Sequence, residues 1–215
     1  MRRFVLIPGF AVLGVAWLGP LPALATQAFM AHMAMHVSVV AVAAPLIAIG
    51  LAGSRRDPVR RWPALFAPLV ASVLEFAVIW GWHAPALHHA AQQLPVARIA
   101  EQASFLLVGL ALWLSALGGA PDLRAARAGA GIAAMLATSM HMTLLGTLIA
   151  LAPRPLYAHA GFAGLDPLED QHFGGLIMLF GGGLAYLIGG LWLLAGLLRP
   201  QAGGPIHRKR APERI

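Results

Sequence analysis

Apolar positions gather into six long runs, near 4–21, 28–51, 64–83, 99–119, 128–152 and 172–198, separated by short segments rich in Arg, Pro and Asp. A helix needs roughly 20 apolar residues to cross the hydrocarbon core of a bilayer. The pattern therefore predicts an all-α, polytopic transmembrane bundle of about six spans. It forms a single domain, 1–215, with a basic tail at 199–215 and no room for a soluble domain.

The polar segments between the runs set the expected orientation. Arg2, Arg3, Arg55, Arg56, Arg60, Arg61, Arg124, Arg127 and the tail from Arg199 to Arg214 fall on one side, whereas only Arg98 and Arg154 fall on the other. Basic residues are retained in the cytoplasm, so both termini are expected there. Composition agrees: 59% of residues are apolar, 11% are charged, and the net charge of +7 is explained by topology and by attraction to anionic lipid. The basic tail is read as a membrane flank rather than a nucleic-acid site. Met1-Arg2-Arg3, the first apolar run and Ala23-Leu24-Ala25 also fit a cleavable signal peptide, a reading that leaves five spans and moves no later loop.

With no cysteine in the chain, disulfides and thiolate metal sites are excluded, and any metal must be held by His, Met, Asp, Glu or backbone groups. The most informative stretch is then His32-Met33-Ala34-Met35-His36, at the outer mouth of the second run. Histidines four apart stand on one helical face, Met33 and Met35 flank them, and this donor set suits copper. His83 closes the third run and His172 opens the sixth, both at the same side. At 1.5 Å rise per residue, His36 lies about 12 Å and His141 roughly 16 Å below the outer ends of their helices, so the two are candidates to meet. Met30, Met140 and Met142 are read as core fillers. His88 and His89, in a connection after Pro85, are expected to be solvated, and His159 lies in another outer loop.

Acidic residues add a second layer. Glu75 sits in mid-span, where a carboxylate costs roughly 2.5–3.5 kcal/mol on insertion scales; it could neutralise a cation, relay a proton, or stay protonated and bond a neighbouring helix, and the functional readings, including a brace behind metal ligands, are placed first. Glu101 and Gln102 are close enough to the surface to be wet, and Asp166, Glu169 and Asp170 form an acidic cluster before His172. The glycines Gly174, Gly175, Gly181 to Gly183, Gly189 and Gly190 leave a stripe without side chains on the last helix, which favours close helix packing.

Four segments carry a family resemblance in order. They are the His32–His36 run followed by Ala44-Pro45-Leu46 and Gly50; Trp82-His83-Ala84-Pro85; Phe105 to Trp113; and Arg154-Pro155-Leu156-Tyr157 with Asp166-Pro167-Leu168-Glu169-Asp170-Gln171 and Gly174-Gly175-Leu176-Ile177-Met178. Together they resemble the CtaG-type cytochrome c oxidase assembly proteins. The resemblance implies a multi-pass protein of the bacterial inner membrane, not an enzyme, that helps deliver copper to a haem-copper oxidase. It points to His32, His36, His83, Asp170 and His141 as functional residues. Gln102 stands where the family pattern suggests a histidine, and Leu179 where it suggests an aromatic residue.

The expected site is thus a periplasm-facing copper site, with Cu(I) favoured, drawing on His32, His36, Met33, His83, His141, Asp170 and His172, with Glu75 behind it. Its expected partners are a haem-copper oxidase subunit, a periplasmic copper chaperone as donor, and the lipid bilayer. Besides a purely structural scaffold for oxidase subunits, two other readings stay open. One is a membrane cytochrome with His36 and His141 as axial ligands to haem. The other is a copper or proton transporter through Glu75 and His141, which the nearly all-apolar cytoplasmic halves of the spans disfavour.

Overall fold

The computed structural model describes residues 2–120 and 124–198, and the basic tail lies outside the described residues. Seven longer helices, α1 to α7, make the fold: Leu6–Leu18, Phe29–Leu51, Pro68–His83, Pro85–Gln93, Pro95–Leu117, Arg124–Ala150 and Pro167–Leu198. Four of them (α2, α5, α6 and α7) are each long and apolar enough to cross a membrane, and α3 with α4 forms a pair bent by 71°. The expected first span is shorter than the apolar run implied. Helix α1 has 13 residues, ends at Gly19 before Pro20, and gives way to a single turn at Leu21–Leu24.

Proline marks most of the starts. Pro68, Pro85, Pro95 and Pro167 each occupy the first turn of a helix, where the missing N–H has no partner to lose. The connection expected after Pro85 is therefore helix α4, turned sharply at the extended residue Ala84. Helix α7 starts with a capping box: the Asp166 carboxylate accepts from the Leu168 and Glu169 N–H groups, while Glu169 accepts from the Asp166 N–H. Two of the three clustered acids thus serve the helix start.

Helix α2 is central, packing on α1, α5 and α7, while α6 packs on α3, α5 and α7. Glycines set the closest approaches. A Cβ on Gly175 would lie 2.5 Å from the Ala150 nitrogen, and one on Gly146 would lie 2.7 Å from the Leu179 nitrogen, so α6 and α7 meet backbone to backbone. Both α2 and α7 contain a π-helical stretch, Ser38–Ala43 and Met178–Gly183. A π turn leaves carbonyls to be satisfied by side chains. Val40 O accepts from Trp113 Nε1 and Tyr186 Oη, each at 3.3 Å, and Gly183 O accepts from Ser139 Oγ at 2.8 Å. At the Arg-rich end, buried Asp57 accepts from the N–H groups of Gly53, Val59 and Gly119, tying the end of α2 to that of α5.

Candidate metal centre

Asp170 places the first turn of α2. Its two carboxylate oxygens accept the backbone N–H groups of Phe29 at 2.6 Å and Met30 at 3.2 Å, donors that a helix start leaves without intrahelical partners. From that anchored end, His32 and His36 point into the bundle, both fully buried. His83 is the last residue of α3, and the bend at Ala84 lays α4 over the end of the bundle so that His88 meets His32. Glu101 comes from the second turn of α5. His159 comes from the segment between α6 and α7, which is held by Tyr157, whose hydroxyl donates to His83 O and whose ring stacks on Phe29.

These residues form one connected group. His32, His88 and Glu101 each offer a donor atom, and the three atoms lie within 4.8 Å of one another. His32 Nε2 and Glu101 Oε1 are 3.7 Å apart, and the His32 and His88 rings meet edge to face at 4.7 Å. The Nε2 atoms of His88 and His159 are 2.9 Å apart, a hydrogen bond in which one imidazole donates to the other. His83 lies 6.4 Å from His32 and 5.2 Å from His36, centroid to centroid. Its Nδ1–H donates to Ile79 O, which leaves Nε2 with a free lone pair.

Unpaired donors and acceptors concentrate here. His32 Nε2, both ring nitrogens of His36, His83 Nε2, His88 Nδ1, His159 Nδ1 and Glu101 Oε1 are buried without a hydrogen-bond partner. Buried polar atoms are normally paired, and each one left alone costs about 1–3 kcal/mol. A bound cation would satisfy several of them at once. The other Glu101 oxygen accepts from Gln102 Nε2 at 3.2 Å, and Gln102 Oε1 accepts from Trp17 Nε1 at 3.2 Å.

Several expected residues stand elsewhere. Met33 packs towards Gly174 on α7. Met35 lines a cavity of about 300 Å³ beside Trp17, Arg98 and Gln102. Asp170 has both oxygens engaged by the α2 backbone, so its nearness to the site reflects a cap. His172 donates from Nε2 to Ala152 O at 3.0 Å. His141 packs edge-on against Phe76, while His36 has His83 and Phe105 as ring neighbours, so these two belong to different neighbourhoods. Glu75 bonds to the Tyr186 hydroxyl near the π-helical turn of α2 rather than standing behind the histidines.

Three members of the group are not where the sequence suggested. His88 is buried on a helix rather than solvated, and Glu101 and Gln102 are buried rather than wet. His159, from the segment between α6 and α7, closes the group. A burial cue existed: His88 and Ala91 are three apart on one face of α4. Burial also acts on His159, whose imidazole is lowered below its ordinary 6.5, with Asp170 and the Gln27 backbone acting the other way.

A sequence profile of the family described as cytochrome c oxidase caa3 assembly factor matches residues 1–200. No curated protein and no solved structure gives a significant match to the chain.

Proposed function

The chain belongs to the cytochrome c oxidase caa3 assembly factors, and on that premise we propose that it binds copper at His32, His88 and Glu101 and passes it to a haem-copper oxidase during assembly. The observation that carries this reading is the convergence of three buried donors within 4.8 Å, with His32 Nε2 and Glu101 Oε1 lacking a hydrogen-bond partner. Copper is the cargo, and the site is a place for uptake and release rather than catalysis. Two imidazoles and a carboxylate leave room for an incoming or leaving ligand, which suits exchange with a donor chaperone and then with the oxidase subunit. Gln102 holds the carboxylate from behind, as outer partners of metal ligands do.

The direction of delivery follows from charge. The histidines gather at the start of α2, whereas Arg55, Arg56, Arg60 and Arg61 follow its end. With basic residues retained in the cytoplasm, the copper site faces the periplasm of a bacterial inner membrane. Copper is favoured over a bis-histidine haem because His36 and His141 lie in different neighbourhoods.

The test is copper content of the detergent-purified protein after anaerobic Cu(I) loading, beside His32→Ala and Glu101→Gln variants. The expected result is bound copper in the parent, reduced in both variants, with no Soret band. Equal copper in all three, or none in any, would overturn the assignment.

A further inference from the structure

We infer that His36 and His83 form a second copper site, two-coordinate and specific for Cu(I), one step deeper than the group of His32, His88 and Glu101. The inference rests on the copper reading above and extends it from one site to two. His36 is wholly buried and neither of its ring nitrogens has a partner. His83 is equally enclosed, and its tautomer is settled: Nδ1–H is committed to Ile79 O at 2.6 Å, so Nε2 carries an unshared pair and no partner. The two rings stand 5.2 Å apart at 73°.

The surroundings select the ion. Phe105 covers the pair, with its ring 4.4 Å from that of His36 and 6.1 Å from that of His83. Among the described residues no carboxylate is grouped with this pair, whereas the outer group has Glu101. Two neutral nitrogens under an aromatic lid suit a monovalent ion content with two ligands. A divalent ion seeks more ligands and a counter-charge, which this pair does not offer. His32 lies between the two sites, 4.7 Å from His88 and 6.4 Å from His83. An ion leaving the outer group gives up its bonds to Glu101 oxygen and His88 nitrogen as it bonds to His83 and His36 nitrogen, and its bond to His32 nitrogen breaks last. Copper stays Cu(I) throughout, and no electron is transferred.

Copper stoichiometry and X-ray absorption of the Cu(I)-loaded, full-length protein in detergent separate the possibilities. The parent is expected to hold two Cu(I) per chain. The double variant His88→Ala with Glu101→Gln is expected to keep one, with two nitrogen neighbours only. His36→Asn is expected to keep the outer ion alone, and that retained ion reports that the variant is folded. A parent that holds one ion, unchanged in His36→Asn, would overturn the second site and leave the first intact. Loss of all copper from the double variant would also overturn it, because the inner pair would not bind by itself. A parent that binds no copper would remove both sites together.

Discussion

Asp170 caps the helix that carries the paired histidines: its Oδ2 receives the Phe29 N–H at 2.6 Å, across 141 positions of sequence. Because His32 begins one turn later, the register of the whole ligand face depends on this contact. Asp170→Ala leaves two N–H groups at a buried helix start without acceptors, a loss of about 1–3 kcal/mol. The expected outcome is a lower thermal midpoint in detergent together with weaker copper binding. Asp170→Asn, which keeps one acceptor oxygen, should fall between. Unchanged stability with lost copper would instead make Asp170 a ligand.

The same contact explains what was and was not legible in the sequence. The spacing of His32 and His36 was readable because four residues make one helical turn. An acidic residue near the mouth of the bundle reads alike as ligand or cap, however, and only the fold distinguishes them. His88, Glu101 and His159 were passed over because their chemistry depends on the 71° bend after His83 and on a loop folded back by Tyr157. Neither bend nor loop has a periodicity. The glycine stripe was legible as a packing surface, whereas the π-helical turns in α2 and α7 were not, since their side-chain partners come from other helices.

The glycine contact between α6 and α7 gives a packing test. At Gly175 an added methyl would press on the Ala150 backbone at 2.5 Å, which cannot move as a side-chain tip can. Gly175→Ala is expected to cost roughly 1–3 kcal/mol through overpacking. At Gly14 nothing lies within 4 Å of the added carbon, so Gly14→Ala should be neutral or slightly stabilising. Equal thermal midpoints for the two variants would contradict the close approach.

Glu75 separates bundle stability from copper binding. Its carboxyl group is bonded to the Tyr186 hydroxyl, which also reaches Val40 O in the π-helical turn. Glu75→Gln keeps a polar partner of the same shape, while Glu75→Ala leaves Tyr186 and the turn short of one and opens a void. The alanine variant should lose roughly 2–3 kcal/mol and the glutamine variant much less. Copper stoichiometry should be unchanged in Glu75→Gln. A copper loss there would restore Glu75 as a brace for the metal.

Acid should loosen the mouth of the metal-free protein. Burial lowers the His159 imidazole below its ordinary 6.5, so between that value and the lower folded one the unfolded chain binds more protons. Its contribution to stability is therefore full above about pH 6.5 and is lost as the pH falls. The facing groups are His88, at 2.9 Å, and Asp170, whose charge opposes the shift without cancelling it. The thermal midpoint of the apo protein should drop from pH 8 to pH 5, and His159→Phe should flatten that slope. A midpoint independent of pH in the parent would contradict the burial of His159.

Gln102 offers the most direct measure of how the proposed outer copper ligands are held. It stands where the family pattern suggests a histidine, and its amide donates to Glu101 while its carbonyl accepts from Trp17 Nε1. A histidine there would be a further potential ligand; the carboxamide instead orients the carboxylate. Loss of such an outer partner typically weakens metal binding 10–100-fold. Gln102→Ala is expected to lower copper affinity by roughly that factor with the stoichiometry kept, since Glu101 remains but is less well fixed. Competition with a chelator of known affinity reads the change. A full loss of one ion would make Gln102 itself a ligand, and an unchanged affinity would show that Glu101 is positioned by α5 alone.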